Sequence, residues 1–288
     1  MKLALGTAQF GLDYGVTNSR GKILETEAKA ILANAQSRGI DLLDTAALYG
    51  ESEMVLGKIL PANHKFKIVT KTGGDLRYSF LTSLERLKQK KLYGLLFHRP
   101  QDLLSGSGPK LYADASLLKK EGFVKKIGVS VYDPEETRKI LNKYDLDIIQ
   151  LPINVFDQRF IQDGTLKELL SRKIEIHMRS IFLQGLLLQD SLPDYFEPLR
   201  PTAARYHKTL KAKGLTPLQG ALSFASGLGV DYGIVGVSSL PEWEEINRAF
   251  SLIARPMEVI GFRDFACQDE KMVNPTFWPA LKVAGGRK

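Results

Sequence analysis

Short apolar runs rich in Ile, Val and Leu alternate along the chain with longer stretches whose apolar residues recur every three or four positions. The first pattern is that of strands buried on both faces, the second that of amphipathic helices. Eight runs read as strands: residues 2–6, 40–43, 66–70, 93–97, 126–130, 147–151, 174–178 and 232–236. Between them, the stretch from Thr26 to Arg38 puts Ala28, Ile31, Leu32 and Ala35 on one helical face, with Thr26 placed to cap the first turn. Another helix opens at Asp133-Pro134-Glu135-Glu136, which supplies an N-cap acceptor, a proline at the first helical position and a capping-box glutamate. Eight strands alternating with helices over roughly 250 residues match a closed (β/α)8 TIM barrel better than an open doubly wound sheet. The expectation is an α/β chain forming one barrel domain over residues 1–288.

Two stretches depart from the repeat. Leu183 to Pro217 carries Pro193, Pro198, Pro201 and Pro217 and reads as a long loop plus a helix after the seventh strand. From about Pro256 a C-terminal extension holds Phe262, Phe265, Phe277, Trp278 and Pro279. It either covers part of the barrel mouth or packs on the outer helices.

Composition narrows the function classes. With 288 residues, 44% hydrophobic and 25% charged, the chain matches an ordinary globular protein and excludes intrinsic disorder. The single cysteine, Cys267, cannot form an internal disulfide, and four scattered histidines give no zinc-ligand spacing, so no metal is expected. No apolar run is long enough to span a bilayer, and the N-terminus lacks the core of a signal peptide, which implies a cytoplasmic, reducing location. The net charge of +8 comes from dispersed basic residues with only short clusters such as Lys88-Gln89-Lys90-Lys91. Neither nucleic acid nor a membrane is the expected partner; a small molecule is.

Barrel enzymes draw reactive groups from the C-terminal ends of their strands. Asp44 follows the second run, Lys71 the third and His98 the fourth, and Tyr49 lies in the loop after Asp44. Singly, each has an ordinary reading, as a cap, a loop cation, a packed aromatic or a loop residue ahead of Arg99-Pro100. Together they bring a carboxylate, an ammonium, an imidazole and a phenol to one mouth. Lys71 beside Tyr49 is expected to lower the phenol's pKa while Asp44 keeps the lysine charged, which would tune Tyr49 as a general acid. His98 would then donate a hydrogen bond to a substrate oxygen.

The run Asp44-Thr45-Ala46-Ala47-Leu48-Tyr49-Gly50-Glu51-Ser52-Glu53-Met54-Val55-Leu56-Gly57 resembles the Asp-Thr-Ala-x-x-Tyr-Gly-x-x-Glu-x-x-x-Gly signature of the aldo-keto reductase superfamily. Thr70-Lys71, Phe97-His98, Ile127-Gly128-Val129-Ser130 and Gln150-Leu151-Pro152-Ile153-Asn154 recur in the family's order, so the resemblance runs from Gly6 to about Ala249. It implies that Asp44, Tyr49, Lys71 and His98 form the catalytic tetrad, with Tyr49 protonating a carbonyl that takes hydride from a nicotinamide. It also implies that Ser130 and Gln150 hold the nicotinamide carboxamide. Val131 stands where relatives have an Asn, a contact Asn154 could take over.

After the seventh strand the same resemblance places Arg179, Ser180 or Phe182 where relatives stack an aromatic on the nicotinamide. After the eighth, Gly236, Ser238 and Ser239 start a helix whose N–H groups either seat a phosphate or form an ordinary cap. The cofactor implied is NADP(H), with NAD(H) the alternative, because Gly236 or Val237 and Glu242 stand where relatives carry Lys and Arg. Arg248 is the nearest cation that could compensate. Phe10 and Tyr14, with Asn18, are the expected substrate contacts. The implied activity is NAD(P)H-dependent reduction of an aldehyde or ketone, or the reverse oxidation. A Schiff-base lyase using Lys71 and a non-catalytic nicotinamide-binding redox sensor are the other readings.

Overall fold

Each apolar run becomes a parallel strand: β1 (Lys2–Gly6), β2 (Leu42–Asp44), β3 (Lys67–Thr72), β4 (Leu92–Phe97), β5 (Val124–Ser130), β6 (Ile148–Pro152), β7 (Glu175–Arg179) and β8 (Tyr232–Gly236). Neighbours in sequence are neighbours in the sheet, and β8 pairs with β1, so the sheet closes into a barrel. The structure is a computed structural model that describes residues 1–253 and 261–279. The helices are α1 (Glu25–Ser37), α2 (Ser52–Ile59), α3 (Leu76–Leu87), α4 (Pro100–Leu104), α5 (Gly108–Lys120), α6 (Pro134–Leu141), α7 (Arg159–Gln162), α8 (Thr165–Ser171), α9 (Arg200–Ala212), α10 (Pro217–Ser226), α11 (Leu240–Leu252) and α12 (Glu270–Val273).

Two local expectations need correcting. Leu24, in extended conformation, is the N-cap of α1, so Thr26 sits inside the first turn and caps nothing; Glu25 and Glu27 supply the favourable negative charge there. Asp133 does cap α6, accepting the Glu136 N–H at 2.8 Å. The Glu136 carboxylate, however, receives Gln101 Nε2 at 3.0 Å, and this contact takes the place of the reciprocal half of a capping box.

Side chains alternate inward and outward along each strand. The outward rows, among them Leu43, Ile68, Leu95, Ile127, Ile149 and Val235, join helix residues such as Leu32, Phe80, Leu118 and Trp243 in the main core. The inward rows stack in three layers. Ala4, Leu42, Val69, Leu96, Ile148 and Ile234 form the apolar middle. Two residues toward the C-terminal ends lie the polar positions Asp44, Lys71, His98, Ser130, Gln150, Arg179 and Gly236, so one periodicity builds both the filling and the mouth.

The opposite end is closed by charge. Lys67 Nζ lies 2.8 Å from Asp41 Oδ2 and 2.9 Å from the Tyr232 hydroxyl. Glu175 accepts from the Tyr93 hydroxyl at 2.8 Å, pairs with His177 Nε2 at 2.8 Å and is bonded to Lys126.

The stretch after β7 is a loop with two short 3-10 segments leading into α9, as the proline pattern predicts. Pro256, where the extension was expected to begin, lies outside the described residues. From Gly261 on, the chain packs on α9 and on the turn after β6. Phe265 meets the Tyr206 ring edge-on at 5.4 Å, Gln158 Nε2 donates to the Phe262 carbonyl at 2.7 Å, and Arg159 pairs with Glu270.

Burial pushes the Glu175 carboxyl up, but hydrogen bonds from His177, Lys126 and Tyr93 outweigh it and hold the group at about 2, below the usual 4.5. Glu175 therefore stabilises the fold fully above its unfolded pKa, and that contribution is lost as pH falls toward the folded value. Calorimetry from neutral pH down to about pH 3 should show a falling Tm that flattens over the acid limb in Glu175→Gln. An equally steep limb in the variant would remove Glu175 as its source.

Candidate functional site

The mouth layer is organised around one ammonium. Lys71 Nζ donates to Asp44 Oδ2 at 2.6 Å, to the Thr45 carbonyl at 2.9 Å and to the Tyr49 hydroxyl oxygen at 3.2 Å. A lysine has three N–H donors, and all three are engaged. Asp44 Oδ1 in turn accepts Gln150 Nε2 at 2.7 Å, and Gln150 Oε1 receives the Ser130 hydroxyl at 3.4 Å. Lys71 is only 1% exposed and Gln150 wholly buried. Asp44 and Lys71 lie within β2 and β3 and do not follow them, because the inward face turns polar before the strands end.

Local packing fixes the loop that carries Tyr49. The buried Ser52 hydroxyl lies 2.8 Å from the Thr7 carbonyl, 2.9 Å from the Thr7 hydroxyl and 3.1 Å from the Thr45 hydroxyl. The ends of β1 and β2 and the start of α2 are thereby tied together. Two glycines let backbone meet backbone here: a Cβ on Gly11 would stand 1.9 Å from the Tyr49 carbonyl oxygen. Gly50, at φ +55°, would place one 2.4 Å from the Gly11 oxygen. Glu53, also buried, accepts the Thr70 hydroxyl at 2.6 Å and anchors α2 to β3 beside Lys71.

The electrostatics differ from the sequence expectation at one point. Burial, and after it the Asp44 charge, raise the Tyr49 phenol above the usual tyrosine range, with Arg179 pulling the other way. The expected lowering of the phenol does not occur: burial comes first, and the Asp44 carboxylate that pairs with Lys71 at 2.6 Å itself disfavours a phenolate. Burial draws Lys71 below its usual range against the opposing attraction of Asp44. His98 follows β4, and its ring meets Tyr49 edge-on with centroids 6.0 Å apart. Burial and then the Lys71 charge push His98 from 6.5 to about 4, so it is a neutral imidazole at neutral pH.

A cavity of about 140 Å³ opens here, lined by Tyr49, Asp44, Tyr14, Asn18, Arg179, Ser180, Phe182, Gly236, Ser238 and Glu242 together with Gln9, Thr17 and Gln184. Arg179 ends β7, with its guanidinium 3.9 Å from the centre of the Tyr132 ring and Nη2 bonded to the Val131 carbonyl at 2.9 Å.

Several expected contacts are not part of this lining. Phe10 is 1% exposed and belongs to the main core, because the short 3-10 turn after β1 points it inward. Asn154 is used by its own turn, its Oδ1 accepting the Phe156 and Asp157 N–H groups at 2.9 Å each and its Nδ2 donating to the Ser180 carbonyl at 3.1 Å. Arg248 lies exposed along α11 and does not line the cavity.

Sequence reasoning missed Gln9 and Gln184. Gln9 Oε1 is buried and has no hydrogen-bond partner among the described residues. Gln184, in left-handed backbone at φ 54°, accepts the Val16 N–H at 3.0 Å, and its carbonyl takes the Thr17 hydroxyl at 3.0 Å. The loops after β1 and β7 thus meet over the cavity. These pairings join residues more than 160 positions apart, and no local pattern announces them.

At the start of α11, Ser239 is the N-cap and its hydroxyl accepts the Glu242 N–H at 3.3 Å. Glu242 Oε2 accepts the Ser238 N–H at 2.6 Å, and Glu27 Oε1, from α1, accepts the Leu240 N–H at 3.1 Å.

Residues 2–260 match the model of the aldo/keto reductase family, and the chain belongs to that family. It is an NAD(P)-dependent oxidoreductase of a kind that acts on small carbonyl compounds. Its fold is shared with a protein from Pseudomonas aeruginosa assigned to the aldo-keto reductases, at 23% identity and TM-score 0.68, over 88% of this chain and 90% of that one. It is shared also with the holo form of an aldo-keto reductase from Bacillus halodurans, at 18% identity and TM-score 0.74, over 97% and 94% of the two chains. A search of curated proteins found no match. Among the described residues no helix is long and apolar enough to cross a membrane.

The depressed His98 value gives a direct check. NMR titration of the histidine ring signals should show one imidazole that stays neutral through pH 6 and protonates near pH 4, the shift vanishing in His98→Gln. A His98 midpoint at or above the ordinary 6.5 would contradict the burial described.

Proposed function

We propose that this chain reduces a small aldehyde or ketone with Tyr49 as the proton donor, Lys71, Asp44 and His98 completing the catalytic group. The observation that carries the reading is the full engagement of the Lys71 ammonium. Because the Tyr49 oxygen accepts from Lys71 at 3.2 Å, its own proton is left to point elsewhere, and the cavity is what it borders. The raised phenol pKa keeps that proton in place until a stronger base arrives.

The residues present fit a nicotinamide dinucleotide. One cavity extends from Tyr49, after β2, to Ser238 and Glu242, after β8, with the unpartnered Gln9 Oε1 beside it. At Gly236 a Cβ would stand 2.6 Å from that oxygen, so the absence of a side chain keeps the passage open. Arg179, Ser180, Gly236 and Ser238, which line the cavity, are the groups that would hold the cofactor; Ser130 and Gln150 are buried and bonded to each other, Gln150 also to Asp44, and lie outside that lining. When bound, a reduced nicotinamide supplies the hydride.

This chain's own share is to position the carbonyl and manage its oxygen. As negative charge builds on that oxygen, neutral His98 offers a ring N–H and Tyr49 transfers its proton. The phenolate left behind rests on the Lys71 ammonium, which Asp44 holds in place. The same three hydrogen bonds oppose a Schiff-base role, because each favours the protonated form of Lys71 over the free amine that attack requires, against the opposing effect of burial.

Tyr49→Phe should lower turnover on a reducible aldehyde by about 10² or more while nicotinamide binding, followed by fluorescence titration, stays within a few-fold. Turnover close to wild type in the variant would sink the assignment.

A further inference from the structure

A helix N-terminus beside a barrel's last strands is ordinarily an anion seat, because its first N–H groups are free and its dipole is positive there. In this chain that seat is already filled by its own carboxylates. Glu242 takes the Ser238 N–H at 2.6 Å, Glu27 takes the Leu240 N–H at 3.1 Å, and Pro241 has no N–H to give. The Glu242 N–H is spent on Ser239.

Resting on the reading above, we propose that Glu242 and Glu27 make this protein select NAD(H) over NADP(H). The chemistry is that of opposite hydrogen-bond roles. A 2′-phosphate is an acceptor with negative charge, and it would meet the Glu242 carboxylate on the cavity wall and an N–H already taken by Glu27 where it needs donors. A free ribose hydroxyl is a donor, which a carboxylate on the cavity wall is suited to receive. Glu242 lines the cavity. The cation paired here, Arg20, lies 3.8 Å from Glu27, has a side chain 62% exposed and is too loosely held to offset both charges. Arg248, the other candidate, is exposed further along α11.

Equilibrium binding tests this without turnover. NADH and NADPH are titrated by reduced-nicotinamide emission against wild type, Glu242→Gln and Glu27→Gln, with competition by 5′-AMP and by its 2′-phosphorylated form, neither of which carries a nicotinamide. Wild type should bind NADH at least about tenfold more tightly than NADPH, and only 5′-AMP should compete. Glu242→Gln should narrow that ratio by about tenfold, chiefly by strengthening NADPH, with Glu27→Gln shifting it the same way by less. Thermal melts of each variant establish that it is folded. NADPH bound as tightly as NADH by wild type overturns the selection and leaves the reductase reading standing, whereas failure of both to bind overturns both. An unchanged ratio in the two folded variants overturns the role of these carboxylates.

Discussion

The mouth of this barrel depends on a lysine and an aspartate buried against each other. Burying either charge alone would cost several kcal/mol, and breaking such a pair typically costs about 3–5 kcal/mol. The cost is tolerable here because no donor or acceptor of the pair is left over. Lys71 satisfies Asp44, Thr45 and Tyr49, while Asp44 also satisfies Gln150, which satisfies Ser130. Strands β2, β3, β5 and β6 are thus bound to one another through side chains as well as through the sheet. The phenol is placed by what the ammonium requires.

Around that centre the neighbouring loops are held by means that differ in kind. Buried hydroxyls of Thr7, Thr45 and Ser52 and the backbone contact at Gly11 and Gly50 fix the loop carrying Tyr49. Gln184 joins the loops after β1 and β7 in a backbone conformation that few side chains adopt willingly. Arg179 stacks on Tyr132 and brings the positive charge that opposes the rise in the Tyr49 pKa. The charged centre is built on strand ends, and much of the cavity lining around it is built on loops.

What was legible in the sequence follows from periodicity. All eight strands lie where apolar runs predict them, because a parallel strand buried on both faces cannot hide its composition. Asp44, Lys71, Tyr49 and His98 come together for the same reason, being the polar continuation of inward-facing rows or the loop beside one. Side-chain direction within irregular loops was not legible. Phe10 turns into the core and Asn154 into its own turn, choices set by neighbours distant in sequence. The sign of the Tyr49 shift also escaped, since adjacency to Lys71 can be read from spacing but the depth of burial, which with the Asp44 charge raises the phenol, cannot.

The charged closure at the far end of the barrel is energetically separate from the mouth. Lys67 and Lys71 sit on the same strand about 13 Å apart, beyond the range at which substitutions usually couple. The pairings of Lys67 with Asp41 and Tyr232, and of Glu175 with Tyr93, Lys126 and His177, therefore hold the far end independently of substitutions among the cavity-lining residues Tyr14, Gln184 and Glu242. A change of recognition surface at the mouth leaves that foundation unaltered.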